Sequence, residues 1–240
     1  TIRRFFCRLI CVSVKKAKPI VIAIDGTSAS GKSTTAKLVA KALGYVYVDT
    51  GAMYRTLAWY CLKKQVDINN KKEVVKLCRQ WKTSLDCVED DGIKQVRLIV
   101  DGYYPCKEIR TAETSAAVPI VAAIPSVREW MKKIQRSCIK FGNLVMEGRD
   151  IGSNIFPETE FKFWLDASLE ERARRRSAEG VKENLAERDI RDSQRSAAPL
   201  MVPLGAMVID NSNLTPTQTA DLIINEVKRK SKIVEKVESL

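Results

Sequence analysis

Gly26-Thr27-Ser28-Ala29-Ser30-Gly31-Lys32-Ser33-Thr34 carries the G-x-x-x-x-G-K-S spacing of a phosphate-binding loop. The apolar run Pro19-Ile-Val-Ile-Ala-Ile24 precedes it, and the helical pattern Thr34-Thr-Ala-Lys-Leu-Val-Ala-Lys-Ala-Leu43 follows. That strand–loop–helix setting gives the string its chemical meaning. Glycines let backbone N–H groups converge on phosphate oxygens, and the helix N-terminus adds about half a positive charge. Lys32 is expected to reach the β- and γ-phosphates, and the Ser33 hydroxyl to ligate Mg²⁺. The loop implies a nucleoside triphosphate. It leaves open what receives the phosphoryl group.

Outward from the loop, Gly44 stops the first helix, and a strand at Tyr45–Val48 leads through Asp49-Thr-Gly51 into a helix ending near Gln65. Residues 70–82 read as helix. Thr83–Val88 and Ile93–Val100, joined by Glu89-Asp-Asp-Gly92, read as an antiparallel hairpin, expected to form a small sheet of its own. Helices are expected over 111–124 and 126–141, and buried parallel strands at Leu144–Glu147 and Phe161–Leu165. A charged helical excursion follows over 168–196 with Gly180 near its middle, then a strand at Ala206–Asp210 and a helix from near Thr215. The order predicts a three-layer α/β fold with a central parallel sheet, an inserted β subdomain over about 66–140 and an arginine-rich helical lid over about 168–196. The domain is expected to span 19–225, between a basic arm (1–18) and a basic tail (226–240).

Ligands of such sheets bind at the carboxyl ends of the strands, and the chemically interesting residues fall there. Thr50 and Arg55 follow the second strand, one at its end and one in the first turn of the next helix. Glu147-Gly148-Arg149-Asp150 follows another strand. Glu147 is placed to hold Mg²⁺ or a metal-bound water, Gly148 permits close approach, and Arg149 can clamp a phosphoryl group through two N–H groups. In the charged excursion Arg188, Asp192 and Arg195 share one helix face, and Arg172 and Arg176 stack one turn apart. A charge run is by default a solvated face. Beside a phosphate loop, arginine stripes on a segment too polar for a core suit a lid closing over a triphosphate. These groups fit phosphoryl transfer between nucleotides, where positioning and cationic clamps dominate. An acceptor monophosphate is already ionised near neutral pH, so no general base is required.

Composition narrows the alternatives. The 240 residues include no histidine, which excludes His-based triads and Cys–His zinc sites but costs phosphoryl transfer nothing. Seven cysteines (Cys7, Cys11, Cys61, Cys78, Cys87, Cys106 and Cys138) contain no C-x-x-C pair and read as free thiols of a reducing compartment. A net charge of +12 would suit a nucleic-acid partner. Half of that excess, however, sits on Arg3, Arg4, Arg8, Lys15, Lys16 and Lys18 of an acid-free arm. No apolar run reaches the roughly 18 residues that span a bilayer. The arm is read as an extension without function, with organelle targeting as the alternative, and the protein as cytoplasmic.

IDGTSASGKST, VDTGAMYR, EIRT, PSVREW, EGRDIG, FPETEFKFWLDASLEERARRR and ERDIRDSQR with APL stand in this order. Together they resemble the bacterial-type cytidylate kinase family, a branch of the nucleoside monophosphate kinases with a P-loop kinase fold. The likeness covers roughly residues 19–225, and DTGxxYR with GRDIG sets the branch apart from adenylate, guanylate and thymidylate kinases. It implies transfer of the γ-phosphate of ATP to CMP or dCMP with Mg²⁺. The protein is expected to act as a monomer on small nucleotides, with neither nucleic acid nor membranes as partners. By resemblance Gly26, Thr27, Ser28, Ala29, Ser30, Gly31, Lys32, Ser33 and Thr34, with Arg172 and Arg176, attend ATP. Thr50, Arg128 and Asp150 would face cytosine, whose exocyclic amine can donate to a carboxylate and which uracil lacks. Arg55, Arg149 and Arg195 would bind the CMP phosphate, Arg188 and Asp192 would lie near the sugar, and Tyr54 and Arg110 complete the CMP set. Lys32, Arg149, Arg188 and Arg195 are the expected catalytic groups. Glu147 is expected to act on Mg²⁺ from behind its ligands, by analogy with adenylate kinases.

Three departures stand out. Pro119 replaces a serine that contacts the sugar in many family members, which unsettles the choice between CMP and dCMP. Gly102-Tyr-Tyr-Pro-Cys-Lys107 replaces a more acidic, threonine-containing segment, and Thr27 stands where proline is common. The competing readings are a kinase for another monophosphate such as UMP, and a basic nucleic-acid-binding ATPase.

Overall fold

A computed structural model describes residues 18–178 and 184–238, with side chains through Lys232. In chain order the elements are β1 (Val21–Gly26), α1 (Lys32–Leu43), β2 (Val46–Asp49), α2 (Thr50–Lys63) and α3 (Lys71–Gln80). They continue with β3 (Thr83–Asp90), β4 (Ile93–Val100), α4 (Ala112–Ala122), α5 (Pro125–Ser137), β5 (Leu144–Gly148) and β6 (Phe161–Asp166). The last are α6 (Leu169–Ala178), α7 (Leu185–Ser193), β7 (Met207–Asp210) and α8 (Pro216–Glu238). The strands form one sheet in the order β3-β4-β2-β5-β1-β6-β7, antiparallel only between β3 and β4.

β1 lies inside that sheet, parallel to β5 on one side and β6 on the other, with all six residues buried. A strand covered on both faces reads as a near-continuous apolar run, here Val21–Ile24, and its alternation sends side chains into two cores. Val21 and Ala23 join Val48 and Met146 against Leu57 of α2, Val121 of α4 and Met131 of α5. Ile22 and Ile24 join Val145 and Phe163 against Val39 of α1 and Ile223 and Val227 of α8. Each fully buried aliphatic side chain contributes about 1.5–3 kcal/mol. The three-layer α/β fold stands as read.

Helix boundaries follow local chemistry. Gly44, at φ 67°, closes α1, and the Tyr45 N–H reaches back to the Ala40 carbonyl at 3.0 Å, which leaves the chain aimed into β2. Asp49 caps α2 by accepting from the Ala52 N–H at 2.7 Å. Asn70 and Glu73 form a reciprocal cap on α3.

The hairpin corrects one expectation. It does not make a separate sheet, because β4 pairs in parallel with β2 at Tyr47↔Gln95 and carries β3 onto the edge of the central sheet. Half-buried alternation along β4 lets one face pack on the core while the other meets solvent. Residues 126–141 divide into α5 and a 3₁₀ turn at Cys138–Phe141, and α8 runs past 225 to Glu238 without a break. Residues 1–17, which hold nearly all of the basic arm, and Gly180 lie outside the described residues. Among the described residues no helix is long and apolar enough to cross a membrane.

Candidate active site

The phosphate loop leaves β1 at Gly26, where a Cβ would sit 1.9 Å from the Leu165 carbonyl oxygen. Only glycine fits so close to β6. Gly31, at φ 84°, turns the chain into α1 and brings Lys32 and Ser33 to its first turn. The half-buried Lys32 side chain donates from its ammonium to the Thr27 carbonyl and to Ser30 Oγ. Burial first and the nearby Arg149 second bring its pKa down to about 7. Ser33 Oγ donates to Glu147 Oε2 at 2.8 Å, and the buried Tyr47 hydroxyl donates to Glu147 Oε1. Burial, then Asp49, pushes the Glu147 carboxyl up from its ordinary range.

A cavity of about 690 Å³ opens over this loop. Its far wall is residues that the sequence did not single out: Arg174 and Arg175 of α6, and Asn211 to Thr215 after β7. Asn211 Nδ2 donates to the Ser30 carbonyl at 2.8 Å. Arg175 donates to Asn211 Oδ1 at 3.1 Å and to its carbonyl at 2.9 Å, while its Nε holds Glu171 at 2.7 Å. Asn211 was findable, since it follows the last strand at the carboxyl edge of the sheet. Arg176 lines the cavity as expected, but Arg172 does not. Arg172 is buried behind the loop, donating to the carbonyls of Ala167 (3.0 Å) and Ser28 (3.2 Å) and pairing with Asp189. Asp189 also accepts the Ser28 N–H at 3.0 Å, which ties α7 to the phosphate loop. The helical period put Arg172 beside Arg176 but could not tell which side of α6 faced the sheet.

A second cavity, about 210 Å³, adjoins the first and shares Ala29, Lys32, Ser33 and Arg176 with it. Here the strand-end residues gather. Thr50 Oγ1 donates to the Glu147 carbonyl at 2.7 Å, and Arg55 pairs with Asp49 at 2.7 Å. Arg128 reaches in from α5 to Asp150 Oδ2 at 2.7 Å with both side chains buried, and its guanidinium lies 5.5 Å from the Tyr54 ring centroid. Burial pushes the Tyr54 phenol up to about 12. Arg149 donates to the Gly26 carbonyl at 2.8 Å and faces Asp192 at 3.4 Å and Asp189 at 3.6 Å. Burial, with Arg188 and Arg195 nearby, brings Arg149 down to about 10, still protonated near neutrality. Arg195 pairs with the buried Asp192, and Arg188 lines the same wall.

Six arginines and Lys32 against four acids leave this cavity cationic, and the Nε atoms of Arg55 and Arg128 are buried without a partner among the described residues. Arg110 does not join them. It is exposed on a 3₁₀ turn at Glu108–Arg110, outside the lining of the cavity. Pro119 and Ser115, one helical turn apart on α4, do line it.

A family model for cytidylate kinase matches residues 22–229. The chain belongs to the cytidylate kinase family. It is 39% identical over 224 residues to the cytidylate kinase of Caldanaerobacter subterraneus subsp. tengcongensis, covering 89% of this chain and 96% of that one. It is also 39% identical over 226 residues to that of Bacillus subtilis, covering 90% and 99%. A crystal structure from Thermus thermophilus aligns over 88% of this chain and 97% of its own at a TM-score of 0.45 and 18% identity.

Proposed function

We propose that the protein transfers the γ-phosphoryl group of MgATP to CMP and dCMP, as a cytoplasmic monomer acting on free nucleotides. The observation that carries this reading is the junction of the two cavities at Lys32, Ser33 and Arg176. A phosphate loop opens on one side and a cluster of arginines around a carboxylate on the other. A triphosphate seated in the larger cavity would present its terminal phosphoryl group to an acceptor phosphate held in the smaller one.

Phosphoryl transfer passes through a state with charge spread over the equatorial oxygens, so preorganised cations supply most of the catalysis. Lys32 would stabilise the transferring group from the donor side, and Arg149, Arg188 and Arg195 from the acceptor side. Arg55 would hold the acceptor phosphate. The Ser33 hydroxyl, with Glu147 behind it at 2.8 Å, would hold an Mg²⁺ ion, since a carboxylate aligned on a hydroxyl suits a hard cation. Such an ion would supply neutralisation of the charge on the phosphates. Of the lid expected over 168–196, α6 and α7 are the described part, residues 179–183 lying outside the described residues, and Arg176 of α6 would reach both nucleotides.

Base choice would rest on Asp150. Its Oδ2 accepts from Arg128 at 2.7 Å and from Asn154 at 2.9 Å, which leaves Oδ1 for the exocyclic amine of cytosine. The Thr50 hydroxyl keeps lone pairs for the same edge. A panel of nucleoside monophosphates with MgATP tests the assignment. CMP and dCMP should be turned over far faster than UMP or AMP. Turnover of UMP or AMP well above CMP would overturn it.

A further inference from the structure

Asp25 is a fully buried carboxylate in the middle of the sheet, paired in register with Gly148 of β5 and Trp164 of β6. None of the roles above uses it. Its Oδ1 accepts the Ile151 N–H at 2.8 Å, and its Oδ2 accepts the Gly152 N–H at 2.7 Å. Those are the first two N–H groups of a π-helical turn spanning Ile151–Ile155. The opening N–H groups of a helical turn have no partner within it and need one from outside.

A residue at the cap position normally supplies that partner. Here the cap position is Asp150, at φ −150° and ψ 26°, and its side chain makes no capping bond. It is committed to Arg128 and Asn154. The cap comes instead from Asp25, which lies 126 residues earlier in the chain. Its neighbour Gly26 takes part too, because the Gly26 carbonyl accepts from Arg149 Nη1 at 2.8 Å. Two consecutive residues of β1 thus hold both flanks of the Arg149–Asp150 pair. The loop has little room to settle otherwise. A Cβ at Gly148 would lie 2.7 Å from Ile151 Cδ1 and from Thr50 Oγ1.

We propose that Asp25 is a positioning residue of the acceptor site. It caps the turn after β5 in place of Asp150, leaves the Asp150 carboxylate to the nucleobase, and fixes Arg149 and Asp150 relative to the phosphate loop. The inference rests on the reading of Asp150 as a contact to cytosine. Two acceptor oxygens are what the site demands. An asparagine offers one and turns an N–H₂ group toward the other backbone donor.

The test is steady-state kinetics of Asp25→Asn with CMP, UMP and ATP, beside Asp150→Asn and the double variant. Asp25→Asn should raise KM for CMP by about tenfold, the effect of one misplaced hydrogen bond. The preference for CMP over UMP should fall with it, and KM for ATP should stay within about twofold. In the double variant the preference should be no lower than in Asp150→Asn alone, because both changes act through one carboxylate. A lower melting temperature with the CMP/UMP preference intact, or effects on preference that simply add, would overturn the inference. Asp25→Ser, smaller and with one acceptor retained, serves the same comparison if Asp25→Asn does not fold. Failure of the wild-type chain to phosphorylate CMP overturns the substrate reading itself, a result separate from any outcome with the variants.

Discussion

The two cavities are built on opposite principles. The donor side relies on contiguous backbone, a strand, a glycine-hinged loop and a helix N-terminus within residues 21–34. The acceptor side is assembled from side chains of α2, α5, the loop after β5, and α7, which meet only in three dimensions. Backbone amides are fixed once the loop is folded and recognise any phosphate. Side chains that converge from afar can recognise one base, and each then needs its own support. Arg55 leans on Asp49, Arg128 on Asp150, and Arg195 on Asp192.

The largest expected effect strikes where the cavities join. Lys32→Ala removes the one ammonium common to both among the described residues, and kcat should fall by about 10²–10³-fold or more, as for loss of a transition-state donor. The fold should persist, because the two cores lie away from this side chain. Thermal melting beside single-turnover kinetics checks the two together. A variant that keeps most of its kcat would show that the donor side works through backbone alone.

A change on the acceptor side should alter preference more than rate. Asp150→Ala is a poor probe, since it strands the buried Arg128 guanidinium, and losing one member of a buried pair costs about 3–5 kcal/mol. Asp150→Asn keeps an oxygen for Arg128 and offers an N–H₂ group to the base. The kcat/KM ratio of CMP over UMP should fall by about 10–100-fold, the 1–3 kcal/mol carried by one base contact. An unchanged ratio would remove Asp150 from base recognition.

The same contrast explains how much was legible in the sequence. The phosphate loop could be read whole, because its function is encoded by spacing along one segment. β1, β5 and β6 were equally plain, since central parallel strands are continuous apolar runs. Strand ends then named Thr50, Glu147, Arg149 and Asp150. Orientation about a helix axis was harder to read. Arg172 and Arg176 share a stripe, yet one is buried behind the loop and the other opens on the cavities. The attachment of the hairpin to β2 was hidden for a similar reason, as strand pairing depends on partners distant in sequence. Asp25 was visible as an acid ending an apolar run, but its partners stand more than 120 residues away.

Asp25 crosses the divide between the two sides, and pH reports on it. Burial raises its carboxyl from 3.8 to about 7, against the opposing pull of two backbone N–H groups and Lys32, with Asp150 adding to the rise. A folded-state value above the unfolded one means that the native protein binds more protons between these limits. Its stabilising contribution is therefore full below pH ~4 and declines as pH rises through ~7. Asp25→Asn lacks this titration. The melting temperature of the wild type relative to Asp25→Asn should fall by several degrees between pH 5 and pH 8, at about 2–4 °C per kcal/mol for a chain of this size. A constant difference across that range would show that Asp25 keeps one charge state throughout.

The smallest effect is expected at Pro119, on the α4 wall of the acceptor cavity. Proline inside α4 has no N–H to return to the Ser115 carbonyl, so that turn of helix is weakened where both residues line the cavity. Pro119→Ser restores the N–H and adds a hydroxyl. An interior proline costs a helix about 3 kcal/mol, so part of that should be recovered as a higher melting temperature. The kinetic change should stay below about tenfold, because a neutral hydrogen bond contributes only about 0.5–1.5 kcal/mol net. If this wall meets the sugar, the ratio of kcat/KM for CMP over dCMP will move, while the ratio for CMP over UMP, set at Asp150, will not. A ratio that stays fixed while stability rises would confine Pro119 to the helix. The acceptor side would then read its nucleotide through the base and the phosphate, with no contribution to sugar recognition from this turn of α4.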